Sequence, residues 1–316
     1  MTLRSGWRPK MVALDIDGTL VDVEQQMSDV VDAAVRKAVA SGVHVVLSTG
    51  RGLTSARPLA EHFELFAPYL VCSNGAVTVR LHLDGMSAGS RAPGSSSGGA
   101  ARIPSESPDP NRITNRSAGN TSDGRAVGVV DENGVEMIDI VTFDPGPVLR
   151  MLLDRLPDAL VAVEELGVGY RVNAPFPPGE LTGEISIEPL ERLIADPVTR
   201  VIVREPSIEV EHFLDVVDRV GLHGVSYYIG YTAWLDLAPE GVSKATGLAK
   251  VAERLGVARE DVLAIGDGNN DVEMLRWAGR GVAMANGAPE ALEAADAVTA
   301  SIEEDGVAVE LSRWFD

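Results

Sequence analysis

The chain of 316 residues is 45% hydrophobic, which is enough for two domains with a substantial core. Asp and Glu total 47 against 27 Lys and Arg, and the formal charge of −20 excludes nucleic acids and anionic membranes from the partners that we expect. The single cysteine, Cys72, rules out an internal disulfide, and together with the lack of an apolar run long enough to span a bilayer it favours a cytoplasmic location.

The first predicted element is a short buried strand, the apolar run at 11–14. Asp15 and Asp17 follow it, and because side chains alternate along a strand, both carboxylates emerge on one face at its end. Gly18 then permits a sharp turn. Two crowded carboxylates repel each other unless a cation or a shared proton relieves them, which is an arrangement typical of catalytic sites. The segment alone fits two solvated acids as well.

Helices and strands alternate after this pair of acids. Ser28 can cap a helix that ends at Gly42. A strand at 43–47 runs into the polar segment 48–51, and after a helix at 55–66 a strand at 69–72 runs into the polar segment 73–76. The alternation predicts an α/β fold with a Rossmann-like, doubly wound parallel sheet. Ligands of such sheets bind beyond the carboxyl ends of the strands, where both polar segments lie.

The composition changes at 85–128, where Ser, Gly, Pro, Asn and Arg dominate. We predict a disordered insertion there, because the segment cannot bury enough apolar surface to offset its ordering entropy. Beyond it the pattern predicts an α+β module with a hairpin at 126–144 that turns at 132–134, helices at 146–156 and 208–220, and strands at 160–163, 198–203, 225–229 and 233–237. The module interrupts the first domain, so we predict a core made of 1–80 and 241–316 and an inserted unit at 81–240.

The parallel pattern resumes at Gly241. Lys244 begins a helix that ends at Gly256, and the apolar strand at 262–265 runs into the polar segment 266–271. A strand at 282–284, a helix after Pro289 and a last amphipathic segment complete the predicted core. A further polar segment therefore follows a strand end, as two did before the inserted module.

Polar side chains from these segments should meet at the carboxyl edge of the sheet: Asp15, Asp17, Thr49, Lys244, Asp267, Asn270 and Asp271. Several acids without a histidine favour a hard cation with oxygen ligands, above all Mg²⁺. A hydroxyl, a lysine and backbone amides near a glycine turn favour a phosphoryl group beside it. Taken singly, Thr49 fits a hydroxyl that satisfies the backbone, Lys244 fits a solvated lysine, and 266–271 fits a plain turn or a calcium loop, although it lacks the EF-hand spacing.

Together these motifs resemble those of the haloacid dehalogenase superfamily of phosphatases, specifically its Cof-type group with a type IIB cap. The similar segments are 15–20, 48–51, 241–244 and 266–271, with further similarity at 73–76, 282–286 and 304–308. The resemblance covers nearly the whole chain except its first residues and the Gly/Ser-rich stretch. It implies that the inserted α+β module is a cap, because that module lies between the second and third motifs.

The resemblance implies a Mg²⁺-dependent hydrolysis of phosphate monoesters. Asp15 would be the nucleophile that forms an aspartyl-phosphate, and Asp17 would protonate the leaving group and then activate water. The metal site would comprise Asp15, the backbone carbonyl of Asp17, and Asp267. Asn270 and Asp271 would act around these ligands through water or hydrogen bonds.

The same resemblance implies the residues that contact the substrate. Thr49 and Lys244 would bind phosphate oxygens. Further candidates for substrate contacts are Gly50, Arg51, Asn74, Gly75 and Asn270. A structural ion pair explains Arg51 equally well.

Several functions remain open. A phosphomutase could use the same pair of aspartates, and a non-catalytic protein that binds phosphorylated metabolites could keep the same pocket. A dehalogenase has no need of Asp17 as an acid, and a receiver domain would not have a module between Thr49 and Lys244. Both therefore fit less well than a phosphatase.

The substrate class is a small phosphorylated metabolite: a sugar phosphate, or a phosphorylated cofactor such as pyridoxal phosphate or an intermediate of the riboflavin pathway. The aromatic residues of the module are concentrated in Tyr227, Tyr228, Tyr231 and Trp234. These side chains fit packing between strands better than stacking on a substrate. The sequence does not predict an oligomeric state.

Overall fold

The computed structural model describes residues 6–65, 68–82, 128–230 and 232–315. The insertion predicted at 85–128 lies outside the described residues except for Gly128, and so does Tyr231. No helix in the described ranges is both long enough and apolar enough to cross a membrane.

The strands are β1 (Met11–Leu14), β2 (His44–Ser48), β3 (Tyr69–Cys72), β4 (Val77–Leu81), β5 (Val135–Ile140), β6 (Leu160–Glu165), β7 (Gly169–Val172), β8 (Glu184–Ile187), β9 (Val201–Arg204), β10 (Val225–Ile229), β11 (Trp234–Pro239), β12 (Val262–Gly266), β13 (Arg280–Ala283) and β14 (Ala297–Val298). The helices are α1 (Asp29–Ala40), α2 (Leu53–His62), α3 (Gly146–Leu153), α4 (Leu190–Leu193), α5 (Val210–Val220), α6 (Lys244–Leu255), α7 (Val272–Trp277), α8 (Pro289–Ala294) and α9 (Gly306–Leu311).

The larger sheet has the order β14-β13-β12-β1-β2-β3-β4-β5, with parallel pairing from β14 to β3 and antiparallel pairing at β4 and β5. Helices cover both of its faces, so the central strands are buried on both sides. Val12 and Leu14 of β1 pack in the cluster that includes α1, α2 and α9, whereas Met11 and Ala13 pack in the cluster that includes α6, α7 and α8. The predicted fold class, a Rossmann-like doubly wound sheet, is confirmed.

The second sheet has the order β10-β11-β9-β6-β7-β8. One of its faces packs against α3 and α5, with Val161, Val163 and Leu235 in that core. Because side chains alternate along a strand, the intervening residues of the same strands, such as Ala162 and Trp234, lie on the opposite face. That opposite face is the one that lines the cavity described below.

The predicted hairpin at 126–144 is present in the part that the structure describes, with Gly134 at φ +72°, an antiparallel bridge between Val130 and Glu136, and Gly128 N donating to Met137 O at 2.8 Å. The second strand of this hairpin, β5, also pairs with β4 of the larger sheet, which the sequence did not predict. A strand that returns after a long insertion leaves no local signal of its partner. The boundaries 1–80, 81–240 and 241–316 stay a prediction, and the pairing of β5 places 135–140 with the larger sheet.

Two strands and a helix of the second sheet were not predicted, namely β7, β8 and α4. The four residues of β8, Glu-Ile-Ser-Ile, do alternate, but the strand is short and lies at the edge of the sheet with all of its side chains exposed. By contrast, α6 begins and ends where the sequence predicts. The backbone N–H of Ser243 donates to Thr246 Oγ1 at 3.1 Å, and Gly256 takes the left-handed conformation that commonly ends a helix.

Candidate active site

The end of β1 places Asp15 in the centre of the larger sheet, only 4% exposed. Its backbone N–H continues the sheet by donating to Ile265 O at 3.0 Å. Lys244, at the first position of α6, is fully buried, and its Nζ donates to Asp15 Oδ1 and to Asp271 Oδ1 at 2.6 Å each. The alternative of a solvated lysine is therefore wrong, and one ammonium bridges two carboxylates from separate strand ends.

Asp267 and Asp271 follow β12 and complete a buried group of acids. One oxygen from each of Asp15, Asp267 and Asp271 lies within 4.8 Å of the others. Asp271 Oδ2 accepts from the backbone N–H groups of Asp267 and Gly268, at 2.9 and 2.8 Å, and Thr19 Oγ1 donates to Asp267 Oδ1 at 2.8 Å. Backbone and hydroxyl donors thus hold the carboxylates in a fixed arrangement.

The approach of the first turn to Asp267 requires glycine at position 18. Gly18 has φ +77°, and a Cβ on it would lie 2.2 Å from Asp267 Oδ2. Any side chain would therefore collide with a carboxylate of the group and strain the turn. The segment from Asp15 to Gly18 and the segment after β12 therefore pack directly against each other at this point.

The electrostatics of the acid group show a surplus of negative charge. Burial, then the charge of Asp271, raises the pKa of Asp15 well above its ordinary value despite the opposing charge of Lys244. The same two causes raise the pKa of Asp267 to about 7. Burial alone would lower the pKa of Lys244, but its two carboxylate partners outweigh burial and raise it. Buried carboxylate oxygens with too little positive charge around them are suited to bind a metal ion, and hard divalent cations prefer oxygen ligands.

Asp17 lies in a different environment from Asp15. Arg51 Nε donates to its Oδ2 at 2.8 Å and Arg51 Nη2 to its Oδ1 at 2.5 Å, while Gln25 Nε2 donates to Oδ1 at 3.2 Å. Burial would raise the pKa of Asp17, but the hydrogen bond and charge of Arg51 outweigh it and lower the pKa. The carboxylate of Asp17 is not among the three that approach one another. Arg51 was interpreted from the sequence either as a substrate contact or as a structural ion pair, and the structure contains the ion pair.

The residues after β2 and β3 form the next part of the site. Thr49 is buried, its Oγ1 accepts from Arg51 N at 3.0 Å, and its carbonyl accepts from Asn74 N at 3.1 Å. Asn74 Oδ1 accepts from Asn270 Nδ2 at 2.9 Å. A Cβ on Gly50 would lie 3.2 Å from that same Oδ1. The structure therefore brings together segments that follow three different strands.

Gly75 has a packing role that the sequence did not predict. It has φ +98°, and a Cβ on it would lie 2.0 Å from Ser243 O, just before Lys244. The loop after β3 thus packs directly on the first turn of α6, and no other amino acid fits there without moving the lysine.

A cavity of about 520 Å³ opens above Asp15, between the larger sheet and the second sheet. On the side of the second sheet, Arg200 Nε donates to Asp236 Oδ1 at 2.6 Å and Arg200 Nη1 donates to Tyr170 Oη at 3.0 Å. Trp234 Nε1 donates to Asp236 Oδ2 at 3.1 Å. Tyr170, Arg200 and Asp236 were missed by the sequence reading, although alternation along β11 would have placed Asp236 opposite its apolar neighbours.

The aromatic residues named from the sequence separate in the structure. Tyr228 lines the cavity and its Oη donates to Val242 O at 3.3 Å. Trp234 also lines the cavity and packs edge-on against Phe176, with ring centroids 6.5 Å apart. Tyr227 is 41% exposed. Two of these side chains therefore face the cavity while still packing within the second sheet.

Comparison with known proteins identifies the family. The haloacid dehalogenase-like hydrolase family matches residues 12–86 and 188–311. The chain is 28% identical over 313 residues to the 5-amino-6-(5-phospho-D-ribitylamino)uracil phosphatase YcsE of Bacillus subtilis. The alignment covers 96% of this chain and 95% of that protein. It is 26% identical over 312 residues to YitU, a phosphatase of the same name from the same organism, with 98% of each chain covered.

Solved structures share the fold. The phosphatase BT1666 of Bacteroides thetaiotaomicron aligns with a TM-score of 0.66 at 23% identity, over 99% of this chain and 98% of that one. The subclass IIB sugar phosphatase BT4131 aligns with a TM-score of 0.68 at 19% identity, over 96% and 98%. The second sheet is thus the cap of this architecture. The chain belongs to the haloacid dehalogenase-like hydrolase family and is a Cof-type phosphatase with a type IIB cap.

Proposed function

We propose that this phosphatase hydrolyses phosphate monoesters of small metabolites in a Mg²⁺-dependent reaction that passes through an aspartyl-phosphate on Asp15. The observation that carries the proposal is the position of Asp15, buried at the base of the cavity and held by Lys244 beside two further acids. Asp15, Asp267 and the backbone carbonyl of Asp17 would hold Mg²⁺. When bound, the ion supplies positive charge that favours the ionised carboxylates and neutralises charge on the phosphoryl group.

Asp15 acts as the nucleophile in this proposal. Lys244 holds Oδ1, which leaves Oδ2 to attack phosphorus in line while the bond to the leaving oxygen breaks. Lys244 has three N–H donors and uses two of them on carboxylates, so the third can bind a phosphate oxygen. Asp271 accepts hydrogen bonds at both of its oxygens, which supports a role around the metal ligands rather than among them.

Asp17 first protonates the leaving oxygen and later takes a proton from the water that hydrolyses the aspartyl-phosphate. The ion pair with Arg51 stabilises the ionised form, which opposes the first of these steps. We therefore propose that Arg51 moves away from Asp17 when the substrate binds. In that position the guanidinium can contact the substrate. Arg51 would then pair with Asp17 in the free enzyme and contact the substrate in the complex.

The phosphate end of the substrate would lie against the residues that follow β2 and β3. Thr49 Oγ1 accepts a backbone hydrogen bond, and its own proton is left to donate to a phosphate oxygen. Further contacts would come from the neighbouring positions Gly50, Asn74, Gly75 and Asn270. The hydrogen bond between the side chains of Asn74 and Asn270 keeps these segments together.

The leaving group would occupy the cap side of the cavity, against Tyr170, Arg200 and Trp234. These side chains offer aromatic surface and hydrogen bonds, which suits sugar phosphates and phosphorylated cofactors. Two relatives from Bacillus subtilis are named for a phosphoribitylamino-uracil, so we include that class of substrate. The single cysteine supports a cytoplasmic location, as the sequence predicts.

A phosphomutase is the second candidate, because it would use the same pair of aspartates. The two functions differ in what receives the phosphoryl group, which is water in the phosphatase and substrate in the mutase. Inorganic phosphate released from a sugar monophosphate supports hydrolysis, whereas isomerisation activated by a bisphosphate without phosphate release supports the mutase. Substrate binding without turnover would support a binding protein instead.

The test is Asp15→Asn, assayed with p-nitrophenyl phosphate and Mg²⁺ and with EDTA added in parallel. We expect a loss of about 10⁴-fold or more in kcat with the fold intact by circular dichroism. Asp218→Asn, on an exposed turn of α5, is the matched control and should retain activity. Acid quenching during turnover of a ³²P-labelled substrate should trap labelled phosphoryl on the Asp15 carboxylate, because water breaks the bond between phosphorus and Asp15 only in the second step. Activity retained in Asp15→Asn, or label absent from Asp15, would refute the mechanism.

A further inference from the structure

The cap places one buried carboxylate against the core, away from the group of acids at Asp15. Glu164 lies on β6 and is 7% exposed. Its Oε2 accepts from Ser73 Oγ of the core at 2.7 Å and from Thr199 Oγ1 of the cap at 2.8 Å. Hydroxyl groups of both units therefore share one oxygen of this side chain.

On the core side, Glu164 contacts the loop that carries Asn74 and Gly75. Ser73 and Asn74 have φ of +50° and +53°, and Gly75 has φ +98°, so three successive residues take left-handed backbone conformations. Side chains other than glycine rarely adopt such conformations unless tertiary contacts hold them. The contacts here are the bonds from Ser73 N to Arg51 O at 2.9 Å, from Asn74 N to Thr49 O, and from Ser73 Oγ to Glu164.

The second oxygen of Glu164 lies against the start of α2. A Cβ on Gly52 would be only 2.5 Å from Glu164 Oε1. Gly52 precedes the first residue of α2 and has no side chain to cap the helix. The first N–H groups of a helix lack partners within it and attract negative charge, so a carboxylate from the cap is favourable at this position.

On the cap side, hydrogen bonds connect Glu164 to the residues that line the cavity. Its backbone N–H donates to Arg200 O at 3.1 Å, and Thr199 precedes Arg200 in the chain. The Arg200 side chain bonds to Asp236 and Tyr170 in that wall. A chain of hydrogen bonds therefore runs from the leaving-group side of the cavity, through Glu164, to the loop at the phosphate end.

We propose that Glu164 is a positioning residue that couples the cap to the loop at 73–75. It holds the leaving-group wall and the phosphate-binding residues in one relative arrangement. The proposal rests on the proposed function in assigning the two ends of the substrate to these two surfaces. A substrate that spans the cavity must contact both, so it should depend on Glu164 more than a ligand that occupies the phosphate end alone.

The first measurement does not use activity. In Glu164→Ala, amide hydrogen exchange should rise at residues 73–76 and 52–55 and remain unchanged in β1 and β12. Glu184→Ala, which removes an exposed carboxylate from the edge strand of the same sheet, is the matched control and should change neither segment. Unchanged exchange at 73–76, or an equal rise across both sheets, would overturn the proposal whether or not the protein is a phosphatase.

The second measurement separates binding from chemistry. For pyridoxal phosphate, or for whichever sugar phosphate is turned over, KM should rise about tenfold in Glu164→Ala, as expected for one lost hydrogen bond to a charged acceptor. The inhibition constant of inorganic phosphate should change less than KM. Glu164→Gln retains an acceptor for the hydroxyls and should recover part of the loss. Equal changes in KM and in the phosphate constant would overturn the coupling.

A third comparison assigns the effect to the contact between cap and core. Ser73→Ala removes the core donor and should reproduce the changes in exchange and KM, whereas Thr199→Ala removes only the donor within the cap and should not. The double variant Glu164→Ala with Ser73→Ala should be no worse than Glu164→Ala alone. Multiplied effects in the double variant would overturn the proposal.

Discussion

The cavity has two walls that differ in their balance of charge. The core wall consists of side chains at the strand ends of the larger sheet, and the cap wall consists of side chains of the second sheet. On the core wall, three buried acids lie close together, the ammonium of Lys244 pairs with two of them, and the pKa values of Asp15 and Asp267 are raised. On the cap wall, the guanidinium of Arg200 has a carboxylate partner in Asp236. The surplus of negative charge makes the core wall a site for a cation, whereas the balanced pair on the cap wall provides shape and hydrogen bonds.

The difference has a structural origin. Side chains on the core wall come from the ends of separate parallel strands, which converge at one edge and bring like charges together. Side chains on the cap wall stand on the face of an antiparallel sheet, where residues on neighbouring strands pair across it. Asp236 lies opposite Ile202 in the register of β11 and β9, two residues from Arg200, so opposite charges meet.

The largest effect should follow from Lys244→Met, which removes the only ammonium of the core wall and keeps the length of the side chain. We expect kcat to fall about 10³-fold and the free energy of unfolding to fall by about 3–5 kcal/mol, because two buried carboxylates lose their partner. Lys250→Met is the control on the same helix, since its ion pair with Asp139 is partly exposed and contributes little. Steady-state kinetics and urea denaturation measure both effects, and equal stability in the two variants would contradict this account of the core wall.

Removal of divalent cations should make stability fall as the pH rises from about 4 to about 7. Burial and Asp271 raise the pKa of Asp267 to about 7 and that of Asp15 also rises, so the folded state keeps protons that the unfolded chain has released. Asp17, with a lowered pKa, opposes this trend only at the acid end of the window, where the unfolded chain still binds protons that the folded state has released. Calorimetric melting temperatures in EDTA should therefore decline across the window, and Mg²⁺ should flatten the curve. A rise in EDTA would contradict the prediction.

On the cap wall, Arg200→Met should affect binding rather than chemistry. We expect KM for a substrate that fills the cavity to rise about tenfold and kcat to change by less than about threefold, since Arg200 does not contact the acid group. The variant should also lose about 3 kcal/mol of stability, because Asp236 loses its positively charged partner, and a second change, Asp236→Leu, should recover part of it. Arg219→Met, on the exposed side of α5, is the control. A fall in kcat equal to that of Lys244→Met would break the contrast between the walls.

The smallest effect should appear in the pH dependence of Arg51→Gln. The guanidinium lowers the pKa of Asp17, so its removal should raise that pKa. Since Asp17 must be protonated when the leaving group departs and Arg51 contacts it in the free enzyme, the basic limb of the kcat/KM profile should move to higher pH. Arg57→Gln removes an ion pair within α2 and is the control. An unmoved profile would separate Asp17 from the acid step.

Much of the core site was predictable because several of its side chains directly follow an apolar strand or begin a capped helix. Asp15, Thr49 and Asp267 stand at strand ends, and Lys244 follows Ser243 at the start of a helix that Gly256 ends. Local patterns of apolar and polar residues place such positions without knowledge of the fold. The residue types then indicate the chemistry.

The cap wall was less predictable. Tyr170 and Arg200 belong to no motif. The strand that carries Tyr170, β7, was not predicted from the sequence. Glu164 reads in the sequence as an ordinary polar residue at the end of a strand. Its contact with Ser73 joins positions 91 residues apart, and no periodicity within either segment signals it.

The sequence by itself determined the doubly wound core, the polar segments at its strand ends and the presence of an inserted α+β unit, because these depend on short-range alternation, caps and turns. Only the tertiary structure decided which strand β5 joins, that Arg51 pairs with Asp17, and that the cap rests on the core through Glu164. These outcomes depend on the distances between side chains far apart in the chain, and such distances are set by the packing of whole sheets and helices.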